Sequence, residues 1–290
     1  MRRRETIVRV IIVLALLAGT GFGMAQEQGT SGGTDWTDIG VLSGILTDGN
    51  SEAWSVGLRN TLEGKGSKSQ FELLTSAYRL ESTSRVLFAL GPTQTDFQVG
   101  EIKTDWEAES YLVATRFDRL FSKRAYWVIG GGWERNRLKG LKDRFMEVAG
   151  VGVRWVDEEK ALFRTDVSAT STRENDVADN PLEDNTYPGV RFSSKFKKTF
   201  STGATIGHDL VVDQNLDRTD DRRADTSAWV SFASGPHLAL QVGAQLLYDW
   251  EPAMQEIPRF SAPLVFSGEN VQVPFKKIDK VFTTSLLIIF

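Results

Sequence analysis

Apolar and polar residues alternate with a period of two along most of the chain. In residues 161–170, Phe163 and Val167 share one parity, while Arg164 and Asp166 occupy the other. The same alternation recurs in "VRFSSKFKKTF" and in "LALQVGAQLLYDW". After residue 25, no stretch repeats apolar residues at the helical spacing over three turns. Because side chains of a strand point alternately to its two faces, this pattern predicts an all-β protein with one apolar face per strand.

Twelve segments carry this alternation, and each is close to the roughly 9 to 11 residues with which a tilted strand crosses a bilayer. Twelve is an even number, as expected for a bacterial barrel made of one chain. The predicted strands span residues 36–47, 51–63, 68–80, 106–119, 124–136, 143–156, 160–172, 187–200, 203–215, 224–234, 237–250 and 278–290.

The connections between these segments differ in length on the two sides. Brief links such as "GKGS" and "FSKR" follow the even-numbered segments, while the connections after the odd-numbered segments are generally longer and polar. Short turns on one side and long loops on the other are typical of outer-membrane barrels. The sequence therefore predicts a closed, antiparallel, up-and-down transmembrane β-barrel of about twelve strands. Both chain ends are predicted to lie in the periplasm, on the short-turn side.

The two ends of the chain carry further signals. An arginine-rich head, the apolar run "VIIVLALLA" and small residues before Gln26 predict a signal peptide at residues 1–25. Residues 26–35 are then a short periplasmic linker, and residues 36–290 form the barrel. In the last strand, Leu286, Ile288 and Phe290 share the predicted lipid-facing side. This aromatic ending is similar to the signal by which the barrel-assembly machinery recognises its substrates, so we expect that machinery and outer-membrane lipid as partners.

Composition excludes several kinds of chemistry. The chain has no cysteine, which excludes thiolate metal sites, disulfides and a cysteine nucleophile. It has only two histidines, so few positions could support imidazole chemistry. A formal net charge of -4 without a basic stripe indicates no nucleic-acid partner. We expect a monomer without cofactor or metal. The acidic loop "TRENDVADNPLEDN" offers carboxylates to divalent cations, but it lacks the ligand order of a calcium loop.

Short motifs along the chain carry a resemblance to a known family. They are the turn Gly49-Asn50-Ser51, the run Arg116-Phe117-Asp118-Arg119-Leu120, Gly140-Leu141 before Asp143-Arg144, and the glycines Gly150 and Gly152. Together with the last strand, they resemble the YdiY-like family of salt-induced outer-membrane proteins, of unknown function, over residues 36–290. The resemblance implies an outer-membrane barrel and no mechanism. The sequence departs from it in insertions at residues 81–105 and 251–273.

Charged residues on the parity that faces away from lipid are the candidates for function. Two interpretations remain open: a salt-bridge network that supports the wall, or a narrow pore in which the basic stretch of the eighth strand favours small anions. The predicted lumen-lining residues are Arg59, Arg116, Asp118, Arg154, Arg164, Asp166, Arg191, Lys195, Lys197, Asp209 and Asp213.

Three alternatives to a passive barrel or channel follow from other features. A lipid-modifying hydrolase would use the outward His208, but the serine expected two positions later is Leu210, and only Ser194 on the neighbouring strand could replace it. A surface binding protein would act through the long loops. A soluble periplasmic β-barrel would show the same alternation. We predict that the chain is not an enzyme and has no catalytic residues.

Overall fold

The described residues of the chain form β-strands joined by turns in a computed structural model, which describes residues 33–47, 51–90, 98–137, 140–177, 185–235, 237–262, 265–275 and 277–289. The predicted signal peptide and Phe290 lie outside these ranges. Within them, no helix is both long and apolar enough to cross a membrane. The strands are β1 (Asp35–Thr47), β2 (Ser51–Lys65), β3 (Ser69–Leu90), β4 (Gln98–Leu120), β5 (Ala125–Asn136), β6 (Leu141–Glu158), β7 (Ala161–Asp176), β8 (Thr186–Thr199), β9 (Ala204–Asn215), β10 (Arg222–Ala233), β11 (Leu238–Asp249), β12 (Met254–Ala262), β13 (Val265–Pro274) and β14 (Ile278–Ile289).

Twelve of the strands form one closed antiparallel barrel, which confirms the predicted fold class. Each strand from β1 to β10 pairs with the next one along the chain. Strand β14 then pairs with both β11 and β1 and closes the ring. The remaining strands, β12 and β13, form a separate two-stranded hairpin within the connection between β11 and β14.

The barrel buries polar side chains and exposes apolar ones. Asp118, Arg164 and Asp166 face inward and are at most 4% exposed, whereas the outward Trp127 and Ile129 are each 57% exposed. A soluble barrel buries its apolar face, so this arrangement is the reverse of the soluble alternative. An outward apolar band around a polar interior is the arrangement of membrane-spanning barrels.

Glycines allow large groups to approach the wall closely. A Cβ atom at Gly152 would lie 2.3 Å from the ring of Tyr126, which is completely buried in the lumen. On β5, a Cβ atom at Gly130 would lie 2.5 Å from the carbonyl oxygen of Thr115. The Gly130-Gly131-Gly132 run is therefore a place of close packing, as its position inside a strand predicts.

The sequence suggested that the two long insertions are polar loops. In the structure, both contain β-strand residues. Strand β3 continues to Leu90 and β4 already begins at Gln98, so these two strands pair beyond Ser84, where the ladder of β3 with β2 ends. The second insertion contains the β12–β13 hairpin. The strands were predicted from the alternation of apolar residues, and a strand that extends beyond a membrane does not need an apolar face. The alternation therefore did not reveal these strand residues.

Candidate functional site

The lumen contains the main cavity of the described part of the protein, with a volume of about 1240 Å³. Five predicted lumen residues line it: Arg59, Arg191, Lys195, Asp209 and Asp213. A smaller cavity of about 310 Å³ shares part of this wall and is also bounded by Arg116, Arg164 and Asp166. The cavities bring together eight of the eleven predicted residues.

A buried ionic cluster fills the lumen on the short-turn side. The carboxylate of Asp118 accepts hydrogen bonds from Arg116 Nε at 2.9 Å and from Arg164 Nη1 at 2.8 Å. Arg116 Nη2 also donates to Asp166 Oδ2 at 2.9 Å, and the hydroxyl of Tyr126 donates to the same oxygen at 3.2 Å. These residues come from β4, β5 and β7, so the cluster ties three strands of one wall together.

Further ion pairs extend this cluster across the lumen. Lys195 Nζ of β8 lies 3.3 Å from Glu72 Oε2 of β3 and 3.9 Å from Glu63 Oε1 of β2. Arg164 of β7 reaches the same Glu72 oxygen at 3.5 Å. Strands β2 and β8 lie on opposite sides of the twelve-membered ring. We call Glu63, Glu72, Arg164 and Lys195 the cross-lumen bridge, because they connect walls that share no backbone ladder.

A second ionic cluster lies near the long-loop end. Glu174 accepts two hydrogen bonds from Arg144, at 2.9 and 3.1 Å, and two from Arg223, at 2.8 and 3.0 Å. The hydroxyl of Tyr187 donates to Glu174 at 2.9 Å, and Arg223 also pairs with Asp249. The sequence predicted that Glu174 lies in an acidic loop, whereas it lies on β7. Its parity with Arg164 and Asp166 on β7 was the available signal that it faces the lumen.

Two of the lining residues form a pair of their own, whereas Arg154 and Lys197 lie outside both cavity linings. Arg191 and Asp213 form a pair on adjacent strands, with hydrogen bonds of 2.7 and 2.8 Å. Arg154 is buried, and it donates to Asp157 at the short-turn rim and to Gln70. Lys197 is exposed and is outside the lining of both cavities.

The segments that flank the β12–β13 hairpin border the mouth of the cavity. Glu251, Ala253 and Phe275 line it, and Glu251 forms an ion pair with Arg218 of the β9–β10 connection. The ring of Phe275 lies against Gly140, where a Cβ atom would be 2.6 Å away. The hairpin is thus attached at its base to the opposite side of the mouth.

The hydrolase candidate His208 has a simple environment. Its Nε2 atom lies 3.0 Å from the hydroxyl of Thr226, and its direct partners across the ladders are Phe196 and Ala228. Ser194 pairs with Leu210, two residue pairs further along the ladder. Among the described residues, no group of three or more acidic or histidine side chains could hold a metal ion.

Several solved outer-membrane proteins are similar to the chain at low identity. The translocator domain of the autotransporter NalP from Neisseria meningitidis is 10% identical with a TM-score of 0.39, over 99% of this chain and 97% of that one. OmpT of Vibrio cholerae is 10% identical with a TM-score of 0.37, over 92% and 100%. An anion-selective porin from Comamonas acidovorans is 9% identical with a TM-score of 0.34, over 89% and 100%. Likeness of this degree carries no argument about function.

Comparison with curated proteins gave no match. The model of a family described as "Protein of unknown function, DUF481" matches residues 41–258, from within β1 to within β12. The match covers more than half of the sequence. The chain therefore belongs to the DUF481 family.

Proposed function

We propose that this DUF481 protein is a monomeric outer-membrane barrel that acts as a narrow channel for small solutes or ions. The membrane location is supported by the outward apolar side chains around a charged interior. A closed ladder also satisfies the backbone groups that hydrocarbon would leave unpaired at a cost of several kcal/mol each. A folded barrel in detergent should migrate faster on an unheated denaturing gel than a boiled sample, and its fractionation with outer membranes tests the location.

The proposed channel function rests mainly on the cross-lumen bridge. It spans the lumen between β2 or β3 and β7 or β8, at the short-turn end of the cavity. Side chains held across a pore narrow it and place charge in the path of an ion. The predicted preference for anions loses its basis, because Lys195 is paired with Glu72 and Arg191 with Asp213. We expect weak selectivity and a low conductance.

Removing the bridge tests this function directly. The double variant Glu72→Ala, Lys195→Ala should conduct more current per channel than the natural protein in planar bilayers, since the obstruction and its two charges are gone. Arg191→Ala, Asp213→Ala is the matched control, because it removes a pair on adjacent strands that does not cross the lumen. Absence of current in both the natural protein and the bridge variant would exclude the channel function. It would not contradict the barrel fold or its proposed membrane location.

The same proposal includes two partners, outer-membrane lipid and the barrel-assembly machinery. Outer-membrane lipid surrounds the barrel, and the barrel-assembly machinery inserts it through the signal formed by Leu286, Ile288 and Phe290. Leu286 is 40% exposed on the outer face, and Phe290 lies outside the described residues. The YdiY-like relationship and salt induction remain predictions, which measurement of transcript levels at high and low salt would test.

A further inference from the structure

The lining of the main cavity has an excess of negative charge. It contains eleven carboxylates and seven cationic side chains. Five of the seven cations form ion pairs with carboxylates of the same lining, as Arg191 does with Asp213 and Arg223 does with Glu174. A concave surface with one sign of charge concentrates ligands of the opposite sign. The lumen therefore favours a cationic ligand.

The other two cations of the lining lie away from the centre of this charge. Arg59 is on β2, which is five strand positions from β9 around the ring. Lys277 precedes β14 and is exposed at the mouth of the cavity. In the part of the chain that the structure describes, neither side chain forms an ion pair. They do not neutralise the wall that β9, β10, β11 and β14 form.

Two carboxylates on this wall have no ion-pair partner and no hydrogen-bond donor among the described residues. They are Asp209 on β9 and Asp279 on β14, and both line the cavity. Lys195 is the cross-strand neighbour of Asp209, but its Nζ atom lies against Glu72 and Glu63 of the opposite wall. An ionised carboxylate accepts its strongest hydrogen bonds from cationic donors. Both positions can therefore hold an ammonium group of a ligand.

A tryptophan of the same wall lies beside one of these carboxylates. Trp229 of β10 lines the cavity, and its indole lies over Gly207 of β9, where a Cβ atom would be 2.2 Å from the ring. Gly207 and Asp209 are two positions apart on one strand, so they point to the same face. No cationic side chain of the described residues lies over this ring. An indole next to a carboxylate binds an organic ammonium group by cation–π attraction and a hydrogen bond.

The spacing of the carboxylates favours an extended ligand over an inorganic ion. Strands β10 and β11 separate β9 from β14, so Asp209 and Asp279 are about 14 Å apart along the sheet at roughly 4.8 Å per strand. Asp225 lies between them on β10 and accepts hydrogen bonds from the neutral Gln245 at 2.8 and 2.9 Å. Among the described residues, no group of three acidic or histidine side chains could hold a metal ion. The wall fits a chain with several separate cationic groups.

The opposite side of the cavity independently requires a hydrogen-bond donor. Asn136 of β5 lines the cavity and is only 8% exposed. Its Nδ2 atom donates to Glu134, which orients its Oδ1 atom, and Oδ1 has no partner in the described part of the protein. A buried acceptor without a donor is unfavourable. A ligand rich in N–H groups supplies such a donor, whereas an anion does not.

We propose that the wall formed by β9, β10, β11 and β14 binds a linear polyamine in the lumen. One terminal ammonium group lies against Trp229 and Asp209. The aliphatic chain then follows the ladder neighbours Asp225 and Leu247, and the other end reaches Asp279. This binding does not require that the barrel conduct ions, so its failure and the failure of the channel are measured separately.

Calorimetric titration of the refolded full chain in a non-ionic detergent tests the site, with spermidine as the probe. We expect saturable binding of one spermidine per barrel. Asp209→Asn and Asp279→Asn should each weaken it about tenfold, because each keeps the side-chain size and removes the charge. Asp217→Asn is the matched control, since Asp217 is an exposed carboxylate outside the cavity lining, and it should leave the affinity unchanged. Equal affinity in all variants, or no saturable binding to the natural protein, would overturn the proposal.

Competitors and the tryptophan distinguish a built site from diffuse attraction of cations. At matched ionic strength, Mg²⁺ should not displace spermidine, and propylamine, with a single ammonium group, should bind at least about tenfold more weakly. Trp229→Leu should lower the affinity severalfold, whereas Trp229→Phe should retain most of it because it keeps an aromatic face. Displacement by Mg²⁺, equal affinity for the two amines, or equal affinity of the Leu and Phe variants would overturn the polyamine site.

Discussion

The wall from β4 to β8 and the seam between β1 and β14 are built in opposite ways. The wall is joined by long ladders, with local register shifts in β5–β6 and β6–β7, and by ion pairs around Asp118, which is only 1% exposed. The seam has four backbone pairs, and β14 is exposed on both faces beyond them. The difference predicts that the closed barrel is not uniformly stable. We expect the wall with its buried charged side chains to be more rigid than the seam, and substitutions can test that expectation.

The largest effect is expected from Asp118→Asn. Removal of this charge leaves Arg116 and Arg164 without a shared carboxylate in the buried wall, and breaking one partner of a buried ion pair costs about 3–5 kcal/mol. Unfolding in urea, followed by tryptophan fluorescence in vesicles, measures the change. Asp157→Asn is the matched control, since Asp157 lies at the rim with 32% of its side chain exposed and should contribute about 0–1 kcal/mol. Equal losses in both variants would contradict a rigid inner wall.

A smaller loss is expected from Gly152→Val. The new side chain would overlap the ring of Tyr126, which has no room to move because it is fully buried. Overpacking of this kind costs typically about 1–3 kcal/mol. The fraction of protein that shows the fast-migrating folded band on an unheated gel should fall. Gly235→Ala provides the control, since nothing lies within 4 Å of its added Cβ atom, and an equal fall there would show that general glycine loss is responsible.

The smallest effect is expected at the seam. Thr283→Ala removes an exposed hydroxyl from the part of β14 that pairs with β11 but has no ladder to β1, and surface substitutions of this kind change stability by at most about 0.5 kcal/mol. The same urea titration measures it. A loss comparable with that of Gly152→Val would mean that the seam is packed as tightly as the wall.

The architecture was predictable because hydrocarbon imposes a simple rule on every strand. Each lipid-facing position must be apolar over the bilayer thickness, so Phe163 and Val167 on one parity and Arg164 and Asp166 on the other indicate strand and face together. The ring order of the twelve barrel strands then follows from sequential pairing. The same rule fails outside the membrane, where the extensions of β3 and β4 and the β12–β13 hairpin have no lipid to face.

The alternation of apolar and polar residues does not predict which charged side chains contact each other. Parity places Lys195 in the lumen but does not say which side chain meets it from the opposite wall, and its partner Glu72 is 123 positions away in the chain. The shared use of Glu174 by Arg144 and Arg223 depends in the same way on the stagger of β6, β7 and β10. The incomplete seam was also not predicted, since closure of a barrel suggests a complete ladder between its first and last strands.

The position of the closing pairs has a consequence for the order of folding. Neighbouring hairpins join residues a few dozen positions apart at most, whereas Ile39 meets Ile289 across about 250 positions of chain. Contacts of such high sequence separation carry the greatest loop-closure entropy and form slowly. They are also the fewest of any barrel boundary here, among the strands described. We expect the meander from β2 to β11 to take shape as a curved sheet first, with ring closure as the late, rate-limiting event.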